Sequence, residues 1–297
     1  MSSKSMVIKR KPGVAPQALY FLIPAIILVG FVLIFPIIFA FFLSTFKWPL
    51  VETGNRQFIF VDNYINIFKD KEFWHALYLQ IGFILIAIPI ELVIGFSVAL
   101  LFYRSFPFAT LIRSLLLLPV FVLPVLSGLT WRLMLQPEYG PLNYLISKLG
   151  FKQLTWLADP KLAYTAIIIQ DIWRMWPFMF MIIYAGLTTI PKDLIEAAKL
   201  DGARFRDRVF KIIIPLLKPT IATALLLRII DALRIFSEVF IMTEGGPGNA
   251  TTLLSIYIYR QAFRYFNMGY SSAMAIILML ISLIIAIIIV SKNFEVE

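Results

Sequence analysis

Four charged residues, Arg228, Asp231, Arg234 and Glu238, stand at spacings of 3, 3 and 4 inside the apolar run 219–242. At about 100° per residue, a helix would hold them within a third of its circumference. A second set, Gln170, Asp171 and Arg174, interrupts the run 162–187, and Asp171 and Arg174 are close enough in sequence to pair on one helical face. A further acid, Glu91, lies two residues after Pro89. Charges at bilayer depth cost a few kcal/mol or more, so they face a bundle interior or an aqueous path. Two roles fit them. They can hydrogen-bond a hydroxyl-rich ligand, for which carboxylates and guanidinium forks are well suited, or they can pair with one another and brace the bundle. The aromatics Trp173, Trp176, Tyr184 and Phe236 either stack on such a ligand or simply pack. Covalent chemistry has little to work with. The chain has one His, His75, and no Cys, and no acid cluster has metal-ligand spacing. No GxxxxGK[ST] phosphate loop occurs, so any ATP hydrolysis belongs to another polypeptide.

The elements that position these groups are membrane spans. Of 297 residues, 60 % are hydrophobic and only 15 % charged, against about a quarter charged in soluble domains. Spans need about 20 apolar residues, and six runs qualify: 18–46, 76–103, 111–134, 162–187, 219–242 and 270–290. The first is too long for a signal-peptide core and has no small-residue cleavage site after it. The net charge of +10 fits orientation better than nucleic-acid binding. Lys4, Lys9, Arg10, Lys11, Arg104, Arg113, the loop 189–217 and Lys292 are on one side, which predicts both termini in the cytoplasm. The expected organisation is a tail 1–17, a permease domain 18–292 and a tail 293–297. Trp48, Trp74, Trp131 and Trp156 fall near span ends, as an interfacial aromatic belt would place them. The loops 47–75 and 135–161, rich in Trp, Tyr and Pro, read as structured caps.

Residues 189–215 contain two short helices. Pro191 and Asp193 suit the start of the first, and Gly202 its end. The second is expected over 203–214. Phe205, Val209 and Ile212 or Ile213 would form an apolar face, with Arg204, Arg208 and Lys211 opposite. Pro215 and Pro219 should then bend the chain back into the membrane. Such an elbow suits docking into a groove on a cytoplasmic partner, or it is a solvated loop with a positive-inside bias.

Its spacing resembles the EAA loop of binding-protein-dependent ABC importer permeases: Glu196-Ala197-Ala198, then Gly202, then Ile212, then Ile214-Pro215. The Leu of the family pattern is Ile214 here. The stretch MTEGGPGNATTLLSIYIYRQAF (242–263), together with GPLNYLISKLG and WLADP, is similar to the carbohydrate branch, of maltose and glycerol-phosphate type. The resemblance implies an all-α, six-span type I ABC importer permease fold in the cell membrane. It implies a second permease subunit, identical or homologous, and two ATPase subunits that bind ATP and Mg, this chain holding no cofactor. An extracytoplasmic solute-binding protein would deliver a sugar, oligosaccharide or glycerol phosphate. Coupling to the ATPase falls on Glu196, Ala197, Ala198, Asp201, Gly202, Ala203, Arg204, Phe205, Ile212 and Pro215. Substrate contact falls on Arg228, Asp231, Arg234, Glu238, Asp171 and Arg174, with bracing as their other role. The alternative is an ion-coupled secondary transporter in which the intramembrane carboxylates bind protons or sodium.

Overall fold

The structure, a computed structural model, describes residues 16–49, 56–103 and 106–293. The basic residues expected in the N-terminal tail, Arg104 and the last four residues of the expected C-terminal tail lie outside the described residues.

The chain is built almost wholly of helices. α1 (Pro16–Val29) runs through a π-turn (Gly30–Ile34) into α2 (Phe35–Ser44). A two-residue antiparallel pair, β1 (Phe46–Lys47) with β2 (Gln57–Phe58), precedes α3 (Asp62–Lys69) and the long α4 (Lys71–Phe102). Then come α5 (Ala109–Leu116), α6 (Leu118–Phe121), α7 (Pro124–Met134), α8 (Pro141–Lys148) and α9 (Pro160–Thr189). The coupling segment holds α10 (Lys192–Leu200) and α11 (Phe205–Arg208). A π-turn (Val209–Ile213) joins α11 to α12 (Ile214–Leu233). The chain ends with α13 (Ser237–Thr243), α14 (Leu254–Tyr259), a π-turn (Arg260–Arg264) and α15 (Met268–Asn293). Among the described residues five helices are long and apolar enough to cross a bilayer, and a helix pair bent by 90° brings the number to six if it is taken as one span.

α4 and α9 form the largest helix–helix contact and carry most of the core. Each begins on an aspartate cap. Asp70 accepts from the Glu72 N–H at 2.9 Å, and Asp159 accepts from those of Lys161 and Leu162, each at 2.9 Å. Close approach between the two depends on Gly95: a Cβ there would sit 2.7 Å from the Met179 Cβ and the Phe180 backbone nitrogen. Around this contact Phe83, Ala87, Ile167, Met179, Phe180 and Ile183 are buried.

Three sequence expectations are corrected here. The third span is not straight: Ala109–Phe121 and Pro124–Met134 meet at 90°. Val122 and Leu123 are extended at the break, because Pro124 removes a backbone donor and forces its predecessor out of the helical region. The fifth span ends at Leu233 rather than running to 242. No proline or glycine stops it. Instead the Gln80 amide donates to the Ala232 carbonyl at 2.9 Å, and the Ser255 hydroxyl donates to the Ile235 carbonyl. These bonds satisfy carbonyls that a continuing helix would have used. Finally, Pro215 and Pro219 do not turn the chain. Residues Phe205–Leu233 form one 29-residue helix through both of them. The π-turn just before Pro215, closed by the Ile214 N–H on the Val209 carbonyl, absorbs the ladder defect that the missing proline donor creates.

The 135–161 segment is structured as expected, and residues 50–55 of the expected 47–75 cap lie outside the described residues. In the 135–161 segment, the buried Asn143 donates to the Leu154 carbonyl at 2.8 Å. Its Oδ1 accepts from the Leu154 N–H and the Trp156 ring N–H at 3.1 and 3.2 Å. The expected turn at 245–248 is present, with Gly245 at φ +90°, a backbone state that a side chain would strain.

Candidate functional site

Arg228 is the centre of the intramembrane charges. It is fully buried, yet it makes bonds to three carboxylates on three helices. Its Nε and Nη2 donate to the two Glu91 oxygens at 2.7 and 3.0 Å, a bidentate fork. Nη2 also bonds Asp171 Oδ2, and Nη1 reaches Asp231 Oδ2 at 3.3 Å. Glu91 and Asp171 are fully buried, whereas the Asp231 side chain keeps 48 % of its exposure. α4, α9 and α12 are thus pinned together at one point. Burying an ion costs several kcal/mol, which geometry of this kind must offset.

A second pair lies beside the first. Arg174 Nη2 is 2.8 Å from Glu238 Oε1, both side chains nearly buried, which ties α9 to α13. The expected Asp171–Arg174 pair is therefore corrected: each residue bonds across to another helix instead. The expected single stripe is corrected too. Arg228 and Asp231 share α12, Arg234 caps its end, and Glu238 sits on α13 beyond the break. Arg234 is exposed, and its Nε makes a local bond to the Ile230 carbonyl at 3.3 Å. Glu91 was not among the site residues expected from sequence, although an acid in an apolar run was the signal for it. Gln170 donates to the buried Ser127 hydroxyl at 2.8 Å and so links α9 to α7.

The aromatics are packed against each other. Trp173 faces Trp131 at 5.9 Å, Phe180 lies between Trp176 and Tyr184, and Phe236 stacks on Phe240 at 5.2 Å. Tyr184 also accepts from Arg113 Nη1 at 2.5 Å.

At the other end of α12 is the elbow. α10 carries Glu196, Ala197 and Ala198, and ends through Asp201 and Gly202. The Ala203 N–H bonds the Ala198 carbonyl at 2.9 Å and the Gly202 N–H bonds that of Lys199 at 3.1 Å, the Schellman pattern. Gly202 stands at φ +79° with nothing within 4 Å of where a Cβ would be, so the corner is open backbone. Ile195 alone anchors α10 in the core. Leu200, at 89 % exposure, Leu194 and Phe205 present apolar side chains outward. Arg204 precedes α11 and is exposed. The second helix starts at Phe205 rather than 203, with Val209 and Ile213 buried and Ile212 half-buried. Pro215 follows the π-turn that absorbs its missing donor. Lys211 pairs with Asp207 at 2.7 Å on the exposed side.

A bundle of membrane helices with a buried charge node, and with an exposed helical elbow continuous with one of its spans, defines a polytopic transport protein rather than an anchor. Residues 7–294 match the family described as the binding-protein-dependent transport system inner membrane component. The chain is 36 % identical over 248 residues to the trehalose/maltose transport system permease protein MalF of Thermococcus litoralis, covering 84 % of this chain and 82 % of that one. It is 37 % identical over 267 residues to the sulfoquinovosyl glycerol transport system permease protein SmoG of Agrobacterium fabrum, with 90 % and 86 % covered. A bacterial alginate ABC transporter, solved with an alginate pentasaccharide-bound periplasmic protein, has a chain of the same fold: TM-score 0.82, 21 % identity, 94 % of each chain covered. The chain belongs to the binding-protein-dependent transport system inner membrane component family. It is a multi-pass permease subunit of the inner membrane.

Proposed function

We propose that this chain carries a carbohydrate through the membrane as part of an ATP-driven importer. One observation supports the mechanism above all. The helix that begins at the elbow with Phe205 runs unbroken to the charge node at Arg228, about 35 Å at 1.5 Å per residue. A push on the elbow is therefore a push on the node. Two ATPase subunits, which bind ATP and Mg, would seat on the α10–α11 elbow of this chain and of a second permease subunit. Closure of the ATPase pair would move these rods and switch the pathway between outward- and inward-facing states. The basic coupling side faces the cytoplasm, as do both termini. A solute-binding protein delivers ligand at the opposite side.

The sugar class is supported by the relatives, named for trehalose, maltose and sulfoquinovosyl glycerol transport. Within the site the roles divide. Arg228 with Asp171 and Glu91 holds the helices together, as does Arg174 with Glu238. Asp231 and Arg234 keep free surface and are the groups placed to meet sugar hydroxyls. The test is reconstitution with the partner ATPase and solute-binding protein in sealed vesicles. Sugar uptake should require ATP and persist when proton and sodium gradients are collapsed. Uptake that follows an ion gradient without nucleotide would overturn the reading in favour of ion coupling.

A further inference from the structure

Behind α10, between the coupling segment and the end of α4, lies a cleft of about 370 Å³. Its polar wall carries Lys192, Lys199 and Arg208, against one carboxylate, Glu196. Leu100 and Ile213 give it an apolar floor. Among the described residues none of the three cations is ion-paired. Arg208 donates one Nη1 hydrogen to the Ala203 carbonyl at 3.0 Å, which leaves most of its donor fork uncommitted. Tyr103 lines the same cleft, and its buried hydroxyl has no hydrogen-bond partner among the described residues.

The cleft shares Glu196 and Phe205 with the expected docking residues of the elbow and extends behind them. Lys192, Ile195 and Lys199 recur at helical spacing on one face of α10, the face that Ile195 turns to the core. Leu194, Ala197 and Leu200 occupy other faces of that helix. A ligand in the cleft would therefore sit behind the elbow and tie it to the end of α4.

We propose that the cleft binds a phosphate group. Three cations against one carboxylate leave a surplus of two positive charges, and a guanidinium fork with lysine point charges is a phosphate-binding set. Two sources carry this chemistry: the headgroup of an anionic phospholipid, for which the apolar floor at a span end is suited, and a soluble phosphate. Bound there, the phosphate restrains α10 relative to α4 and so sets how freely the elbow follows its motor. The proposal does not depend on which solute is carried.

The test uses the full chain in nanodiscs. One arm measures retention of phosphatidylglycerol against phosphatidylcholine by native mass spectrometry. The other titrates inorganic phosphate in phosphatidylcholine nanodiscs and follows phosphorus NMR line broadening. The parent should retain at least one probe, and the responding arm identifies the source. The double variant K192Q/K199Q should bind that probe at least about tenfold more weakly, having lost two charge-assisted contacts. Should it fail to insert, the single variant Lys199→Gln takes its place, with an expected loss of a few-fold. Lys192→Arg with Lys199→Arg should keep binding. The proposal is overturned if the parent retains neither probe, or if the neutral variants hold the probe as tightly as the parent.

Discussion

Arg228 on α12 and Glu91 on α4, 137 positions apart in sequence, meet in a two-bonded fork with neither side chain exposed to solvent. This contact makes the node a joint between helices. It also leaves Asp231, on the same α12, with half of its side-chain surface open.

Removing one arm of the fork should be worse than removing both. Glu91→Ala leaves a buried guanidinium short of its main partner, and a loss of about 3–5 kcal/mol is expected. In a D171N background, which neutralises the other buried carboxylate that Arg228 holds, the double variant E91A/R228M should recover part of that loss. Thermal unfolding of the four members of the cycle in detergent measures the coupling directly.

Asp231→Ala should behave differently. The side chain is half-exposed and its bond to Arg228 is long at 3.3 Å, so Tm should hardly move. KM for sugar uptake should rise several-fold while assembly with the partner subunits is unchanged. An unaltered uptake profile would reduce Asp231 to scaffold.

At the elbow, Gly202→Asp places a charged side chain at φ +79°, a conformation that glycine adopts at least cost. The open space there means no clash with the rest of the chain. Membrane insertion should therefore survive while ATP hydrolysis and transport come apart. Glu196→Lys, which reverses a charge at the same elbow, should also uncouple. Paired ATPase and uptake assays on the reconstituted importer check both, and normal transport in the two variants would count against docking at this site.

Gly95→Leu tests the α4–α9 contact. A Cβ alone would already lie 2.7 Å from the facing backbone, so the helices must separate. Overpacking of this kind costs about 1–3 kcal/mol or more. A lowered Tm and a poor yield of folded protein are expected, with Gly95→Ala intermediate.

Asp70 makes a pH prediction outside the spans. Burial pushes its pKa upward, but the Tyr257 and Tyr270 hydroxyls, at 2.6 and 2.7 Å, and the backbone N–H groups of Glu72 and Phe73 outweigh it. The result lies below the ordinary aspartate value of 3.8. A folded pKa below the unfolded one means that the charged form stabilises the fold. That contribution is complete above pH 3.8 and is lost as pH falls through the folded value. Unfolding curves of the parent and Asp70→Asn should therefore differ at neutral pH and converge below that point.

Hydropathy located the spans because lipid demands long apolar runs whatever they pack against. The elbow was legible for a similar reason: helix ends are local events, and Pro191, Gly202 and the EAA spacing mark them within the chain itself. Pairing of the charges was not local. Spacing alone joined Asp171 to Arg174, yet each reaches another helix, to Arg228 and Glu238. Nothing between Arg228 and Glu238 breaks a helix by its own propensity. The break comes from Gln80 and Ser255 taking carbonyls at the end of α12. The amino-acid sequence alone determined where the long apolar helices and the Gly202 corner lie, because hydropathy and backbone preference act over a few residues. Tertiary structure alone decided which charges are buried together and which keep a free edge, because a buried ion takes whatever partner the folded helices bring within reach.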